Sequence, residues 1–350
     1  KDFIRINVDL ISNEIEGGEY ILTLTNGGNS YNFLTEVQDY TIYQYDNGIY
    51  KDVVRFEPIE VEPLFLNTYP SAIVGYSLRQ INLGYTGDAI QVRRASDNAT
   101  QNIGFVDGEL DVDAVNTFCN GTTGYVSTWY DQSGNNNHAT QADTAKQPII
   151  YDGSIITSDN SKPAVYFTGD DTLRNTSSVS AFTGEFAATM LAVNKQDSSY
   201  SNANLQRSIL SLNNTSIDMD FGFGYLRSGL NTDYQQRMFA HFLIYPEGGA
   251  EVLSYANTLQ ASSVPTSDHL HYTDHTFGAN WYMYLNNGNP SNTSTAISED
   301  SFTFDEMLLG ALNTDYVSGH YLQECILYND SKESTRTAMA TDINSYYSLY

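Results

Sequence analysis

Positive charge is scarce in this chain: 16 Lys and Arg stand against 42 Asp and Glu, for a formal net charge of -26. A field of that sign repels phosphates and anionic membrane surfaces, so nucleic acid is not an expected partner and membrane insertion is not an expected mode. Cysteine is scarcer still. Cys119 and Cys325 are the only two; without a redox or zinc spacing around them they read as buried thiols ahead of a single bridge. No apolar run approaches the roughly 20 residues that cross a bilayer. The start, Lys1-Asp2-Phe3-Ile4, lacks the apolar core of a signal peptide, so export would use a removed leader, another route or assembly into a larger particle. Charged residues make up only 17% of the chain, below the roughly 25% of globular domains. Asn, Ser, Thr, Gly and Tyr fill the gap, a mixture that favours strands and turns over helices.

What is present is a succession of short alternating strands. Ile4, Ile6, Val8 and Leu10 alternate, then Tyr20, Leu22 and Leu24 lead to Asn26-Gly27-Gly28, and Tyr31 and Phe33 begin the return. Tyr43 and Tyr45 precede Asp46-Asn47-Gly48, with Tyr50, Val53 and Val54 after it; Asn-Gly is a strong hairpin signal because both residues tolerate positive φ. Residues 1–62 therefore read as a small β-domain, a meander suited to attachment. The stretch from Glu57 to Pro63, with two prolines and three acids, reads as a linker. Over 63–350, strands are expected at Ala89–Arg93, Tyr125–Trp129, Ala164–Thr168, Ala187–Val193, Ser208–Leu212, Phe221–Leu226, Met238–Ile244, Trp281–Leu285 and Cys325–Tyr328. Many strands at short spacing describe a sandwich or barrel. Ser334 can cap a terminal helix from about Thr335 to Tyr347, with Ala338, Ile343 and Tyr347 at helical spacing.

Several groups could carry chemistry. Trp129-Tyr130-Asp131-Gln132-Ser133-Gly134-Asn135-Asn136-Asn137-His138 joins a strand to a polar loop, and aromatic faces beside amides and carboxylates suit sugars, so Trp129, Tyr130, Asp131, Asn135 and His138 are candidate glycan-binding residues. The same residues serve equally as an Asx-turn around a core tryptophan. Tyr282 and Tyr284 share one strand face and are further glycan candidates, and 27 tyrosines in all imply many at the surface. Asp107, Glu109, Asp111 and Asp113 alternate as hard oxygen ligands would for calcium, or as an exposed acidic edge strand would. No other cofactor is expected. His269, His271 and His275 could hold zinc, but read more simply as surface residues of a polar hairpin. Asp218 and Asp220, two apart in a strand, point to one face and are the best pair for carboxylate catalysis, against a solvated face or a calcium site. Glu251, Asp268 and Asp274 lie in plausible loops without an acid/base motif around them.

Two segments carry a resemblance. Tyr85 to Asn98, Asn102-Ile103-Gly104 and Trp129 to Asn135 resemble the opening of the catalytic sandwich of α-L-arabinofuranosidase B, and also sandwich modules of bacteriophage tail and capsid-surface proteins. Gly310-Ala311-Leu312, Gly319 to Tyr328 and the helix Arg336 to Tyr350 look like the closing strand and helix of laminin-G-like jelly rolls of phages. The resemblance frames residues 70 to 350 and implies a concanavalin-A-like (jelly-roll) β-sandwich with a short C-terminal helix, which with the small N-terminal β-domain read above makes the chain all-β. It also implies that the enzyme's nucleophilic Glu would be matched here by Asp220, one methylene shorter. The small leading domain favours a virion-surface protein, a tail fibre, tail tip or capsid-decorating subunit, homo-oligomeric and partnered by host-surface polysaccharide and other virion proteins. The alternatives are a retaining glycoside hydrolase of arabinofuranosidase type and a purely structural virion protein.

Overall fold

A computed structural model of the chain describes residues 5–6, 20–26, 29–35, 40–46, 49–56, 62–183, 187–197, 206–214, 219–226, 237–244, 252–257, 267–276, 281–289, 291–293, 304–311 and 319–350. It divides into two units, Lys1–Glu62 and Pro63–Tyr350. In the first unit β1 (Arg5–Ile6) pairs with β2 (Tyr20–Asn26), and β2 with β3 (Asn29–Thr35). A second ribbon joins β4 (Tyr40–Asp46) to β5 (Ile49–Phe56). Asn26 stands opposite Asn29 and Asp46 opposite Ile49; the Gly-Gly and Asn-Gly pairs between them lie outside the described residues. Most of the expected linker, 57–61, lies outside the described residues.

The second unit is a sandwich of antiparallel strands. Sheet one runs β8 (Thr100–Ile103), β7 (Ile90–Arg94), β11 (Gly124–Trp129), β13 (Ile149–Tyr151), β14 (Val165–Phe167), β25 (His320–Tyr328), β16 (Ala187–Gln196), β21 (His269–Thr276), β22 (Trp281–Leu285) and β23 (Ser291–Thr293). On the same edge of β25 as β14 lies β6 (Val74–Ser77). Sheet two runs β12 (Ala139–Thr140), β15 (Leu173–Asn175), β24 (Glu306–Leu309), β17 (Gln206–Asn214), β18 (Met219–Leu226), β19 (Arg237–Ile244) and β20 (Val252–Asn257). The two are sewn together where β12 also pairs with β11. A small ribbon, β9 (Phe105–Val106) with β10 (Glu109–Leu110), stands apart. All nine strands expected in this unit are present, each within a few residues of its expected bounds.

Two apolar layers explain why the central strands read as continuous apolar runs rather than alternating ones. Met190, Ala192, Leu322, Cys325 and Leu327 of sheet one face Leu210, Leu212, Phe221, Phe223, Met307 and Leu309 of sheet two. The opposite face of sheet one, with Leu191, Val193, Ile326, Tyr328, Tyr272 and Tyr284, lies under α1 (Phe65–Thr68) and α3 (Arg336–Tyr347). Helix α3 contributes Met339, Ala340, Ile343 and Tyr347, a stripe at helical spacing. Burial of Met339 and of Ile343 contributes about 1.5–3 kcal/mol each over exposure. Ala338, expected on that stripe, is exposed. Nor does Ser334 cap the helix; it sits in a short 3-10 turn, Glu333–Thr335, that leads into it.

Two helices were not legible in the sequence, α1 and the one that follows Asp111. Asp107 to Asp113 is no continuous edge strand: only Glu109–Leu110 pairs, and Asp107 takes a positive φ of 51° in a turn with Gly108. Asp111 then caps α2 (Val112–Phe118), its carboxylate accepting from the Ala114 amide at 2.9 Å, and Asp113 sits in the first turn. The alternating acids imitated a strand, but an Asp N-cap with an acid in the first turn stabilises a helix start.

Candidate functional site

The loop after β11 is a clasp. The Asp131 carboxylate accepts from the Gly75 amide at 2.8 Å, the Ser133 amide at 2.9 Å, the Ser133 hydroxyl at 2.7 Å and the Asn137 amide at 3.0 Å. Gln132 accepts from the Ile81 amide and donates to the Ser77 and Arg79 carbonyls. Asn135 and Asn137 donate to the carbonyl of Ile73. Trp129 is fully buried and inclined against Tyr76, out of a glycan's reach. Tyr130 packs edge-on against His138 and donates to Asn102; His138 in turn accepts from the Asp131 amide. Side chains that the sequence offers to a sugar here bind the loop to β6 and the segment after it.

Asp107, Glu109, Asp111 and Asp113 do not form a calcium site. Glu109 pairs with Lys162 at 3.4 Å and accepts from the Tyr346 hydroxyl, while Asp111 is engaged at its helix. Among the described residues no His, Cys, Asp and Glu group could hold a metal ion. That finding extends to the histidines. His269, His271 and His275 are buried on one face of β21, with His271 against Phe223 and Met283 and His275 against Phe221. Burial holds His271 well below the usual histidine range and brings His269 and His275 down to about 4. They are core residues, because β21 lies inside the sheet rather than in a surface hairpin.

The other sequence candidates are placed as plainly. Asp268 accepts from the Ser158 hydroxyl and the Asn160 amide; Asp274 accepts from Thr189, Ser331 and the Lys332 amide. Burial raises both carboxyls above the ordinary range. Tyr284 is buried under α3, its hydroxyl on Glu333 and the Arg336 guanidinium 4.0 Å above its ring; Tyr282 lies beside it. Cys119 and Cys325 are free, buried thiols. Asp218 and Glu251 lie outside the described residues.

Asp220 lies on β18, and register gives it neighbours that the sequence did not show. It stands opposite Asn213 of β17, which stands opposite Glu306 of β24. Leu212 and Met307, one residue away on their strands, enter the core. Side chains alternate, so Asn213 and Glu306 occupy the face of sheet two turned away from it. Arg174 of β15 is opposite Leu308 and reaches diagonally to Glu306, Nε to Oε2 at 3.0 Å. The Asn213 amide lies 3.4 Å from the other Glu306 oxygen. Asn213 and Glu306 are buried, at 3% and 6% exposure, whereas the Arg174 side chain is half exposed. The Asn213 carbonyl oxygen is buried with no hydrogen-bond partner.

Residues 70–201 match the family model of the α-L-arabinofuranosidase B catalytic domain. A probable α-L-arabinofuranosidase B of Aspergillus terreus is 41% identical over 75 residues, 21% of this chain and 15% of that protein. The α-L-arabinofuranosidase B of Penicillium canescens is 42% identical over 66 residues, 18% of this chain and 14% of that one. A solved mutant α-L-arabinofuranosidase soaked with 4-nitrophenyl α-L-arabinofuranoside superposes with a TM-score of 0.59 at 19% identity, over 79% of this chain and 63% of that one. An arabinofuranosidase complexed with arabinofuranosyl-α-1,2-xylobiose gives 0.56 at 18%, with the same coverage. The second unit has the arabinofuranosidase sandwich fold. The matched segment spans only about 15% of the length of the curated relatives. These findings overturn the virion-surface reading, together with its tail-fibre, tail-tip and capsid-decorating variants, its host-surface polysaccharide and its virion partners. The family matched and every relative named above is an arabinofuranosidase, and no virion module is among them.

Proposed function

We propose that the sandwich is the catalytic unit of a glycoside hydrolase that releases terminal α-L-arabinofuranosyl groups from larger glycans outside the cell. The observation that carries this reading is the family match over 70–201, which takes in both the Tyr85–Asn98 and the Trp129–Asn135 segments; the fold of the whole second unit agrees with it. Hydrolysis of this kind needs two carboxyl groups flanking the glycosidic bond, one protonating the leaving oxygen and the other acting as nucleophile or activating water. Asp218 and Asp220 remain the first residues to assign to it.

The test is release of 4-nitrophenol from 4-nitrophenyl α-L-arabinofuranoside by the purified chain, with the β-anomer and the α-L-arabinopyranoside as controls. Release from the α-furanoside alone, reduced at least a hundredfold in Asp220→Asn or Asp218→Asn, is expected. Absence of release from this substrate and from arabinoxylo-oligosaccharides alike would refute the reading.

A further inference from the structure

We propose that Glu306, Asn213 and Arg174 form a hydroxyl-binding cluster that holds the arabinofuranosyl ring beside Asp220, an inference that rests on the hydrolase reading above. The argument is one of unused hydrogen-bonding capacity. A carboxylate offers about four acceptor sites, and Glu306 uses two, one for Arg174 at 3.0 Å and one for Asn213 at 3.4 Å. The Asn213 side-chain amide oxygen uses none although it is buried, and a buried polar atom without a partner is destabilising. Such an atom in a residue at 3% exposure marks a place where a donor is wanted. Arg174 adds the reverse capability: its guanidinium carries five N–H donors, and the one bond it makes to Glu306 leaves the others to solvent at the half-exposed end of the cluster.

Acceptors and donors alternating over a few ångströms match the hydroxyls of a sugar, each of which both donates and accepts. A phosphate would meet the Glu306 carboxylate, and an apolar ligand would leave the Asn213 oxygen unsatisfied. Position supports the assignment independently. The cluster occupies the outward face of sheet two, in one cross-strand row with Asp220. Two strand spacings, roughly 9–10 Å, separate the backbones of Asp220 and Glu306, with Asn213 between them in the row.

The experiment titrates methyl α-L-arabinofuranoside into the full chain by calorimetry and measures kcat and KM on the nitrophenyl glycoside. The wild type is compared with Asn213→Ala, Glu306→Gln and Arg174→Met, each checked by thermal melting. Binding is expected to weaken at least tenfold in Asn213→Ala and Glu306→Gln, and KM to rise at least threefold in Arg174→Met. A deoxy analogue lacking the recognised hydroxyl should lose affinity on the wild type and none on Asn213→Ala, which a merely structural role would not produce. Folded variants that bind within twofold of a hydrolysing wild type would overturn this inference and leave the hydrolase reading standing. A wild type that neither binds nor hydrolyses would refute both. Should the two buried variants unfold, the half-exposed Arg174→Met decides: an unchanged KM overturns the proposal.

Discussion

Replacing Asp131 separates a structural from a ligand-binding role for the Trp129–His138 loop. Its carboxylate collects four donors, three of them backbone amides, from Gly75, Ser133 and Asn137. In Asp131→Ala all four lose their acceptor; at about 1–3 kcal/mol per stranded donor, and with water replacing the partner of the less buried ones, the loss is on the order of 4–6 kcal/mol. Asp131→Asn is milder. With its oxygen kept towards Gly75 and Ser133, the new NH2 faces the Ser133 hydroxyl, which can turn round and accept, and the Asn137 amide, which cannot. One buried donor is stranded, so the expected loss is about 2 kcal/mol, or roughly 4–8 °C in Tm for a unit of this size. Urea and thermal melts of the full chain measure both. If Asp131→Asn melted like the wild type yet lost arabinofuranoside binding, the carboxylate would be engaged by ligand and the clasp argument would be wrong.

Acid should unfold the sandwich through its buried histidines. Burial brings His269 and His275 to about 4, below the roughly 6.5 of an unfolded chain; between those values the unfolded state binds more protons, so stability falls as pH drops from about 6.5 to about 4. Across that window each site accounts for about 3 kcal/mol, and the stability difference between wild type and His269→Gln should shrink by that amount from pH 7 to pH 4. Asp171, raised by burial to about 6, acts in the opposite sense and cancels in the comparison; parallel pH curves for the two proteins would refute the assignment. Gly310→Ala should destabilise by at least 3 kcal/mol in a urea melt, since a Cβ there would run into the Phe167 ring and sit 2.7 Å from the Asp171 carbonyl, at a φ of +89°. A loss under 1 kcal/mol would show that Phe167 has room to move.

Strand positions were legible because their signals are local: period-two alternation around Ile90–Arg94 or Trp281–Leu285. The histidines were misplaced for the same reason. His269-Leu270-His271-Tyr272 reads as a polar hairpin until β16 on one side and β22 on the other enclose it. A capped helix start likewise passed for an acidic strand, because Asp at alternate positions satisfies either pattern until the Ala114 amide is seen to bond Asp111. Neither Asn213 nor Glu306 stood out, although each is a polar residue adjoining an apolar strand run, and a buried polar group is the informative kind.

By itself the sequence determined the all-β character of the chain, the places of most strands and the terminal helix, since each follows from spacing or turn chemistry within a dozen residues. Tertiary structure alone decided which polar side chains are enclosed and which meet. Asn213 and Glu306 are 93 residues apart, and only the cross-strand register of sheet two sets them side by side in one row with Asp220. Register depends on the pairing of whole strands across the sandwich, which no local pattern of residues encodes.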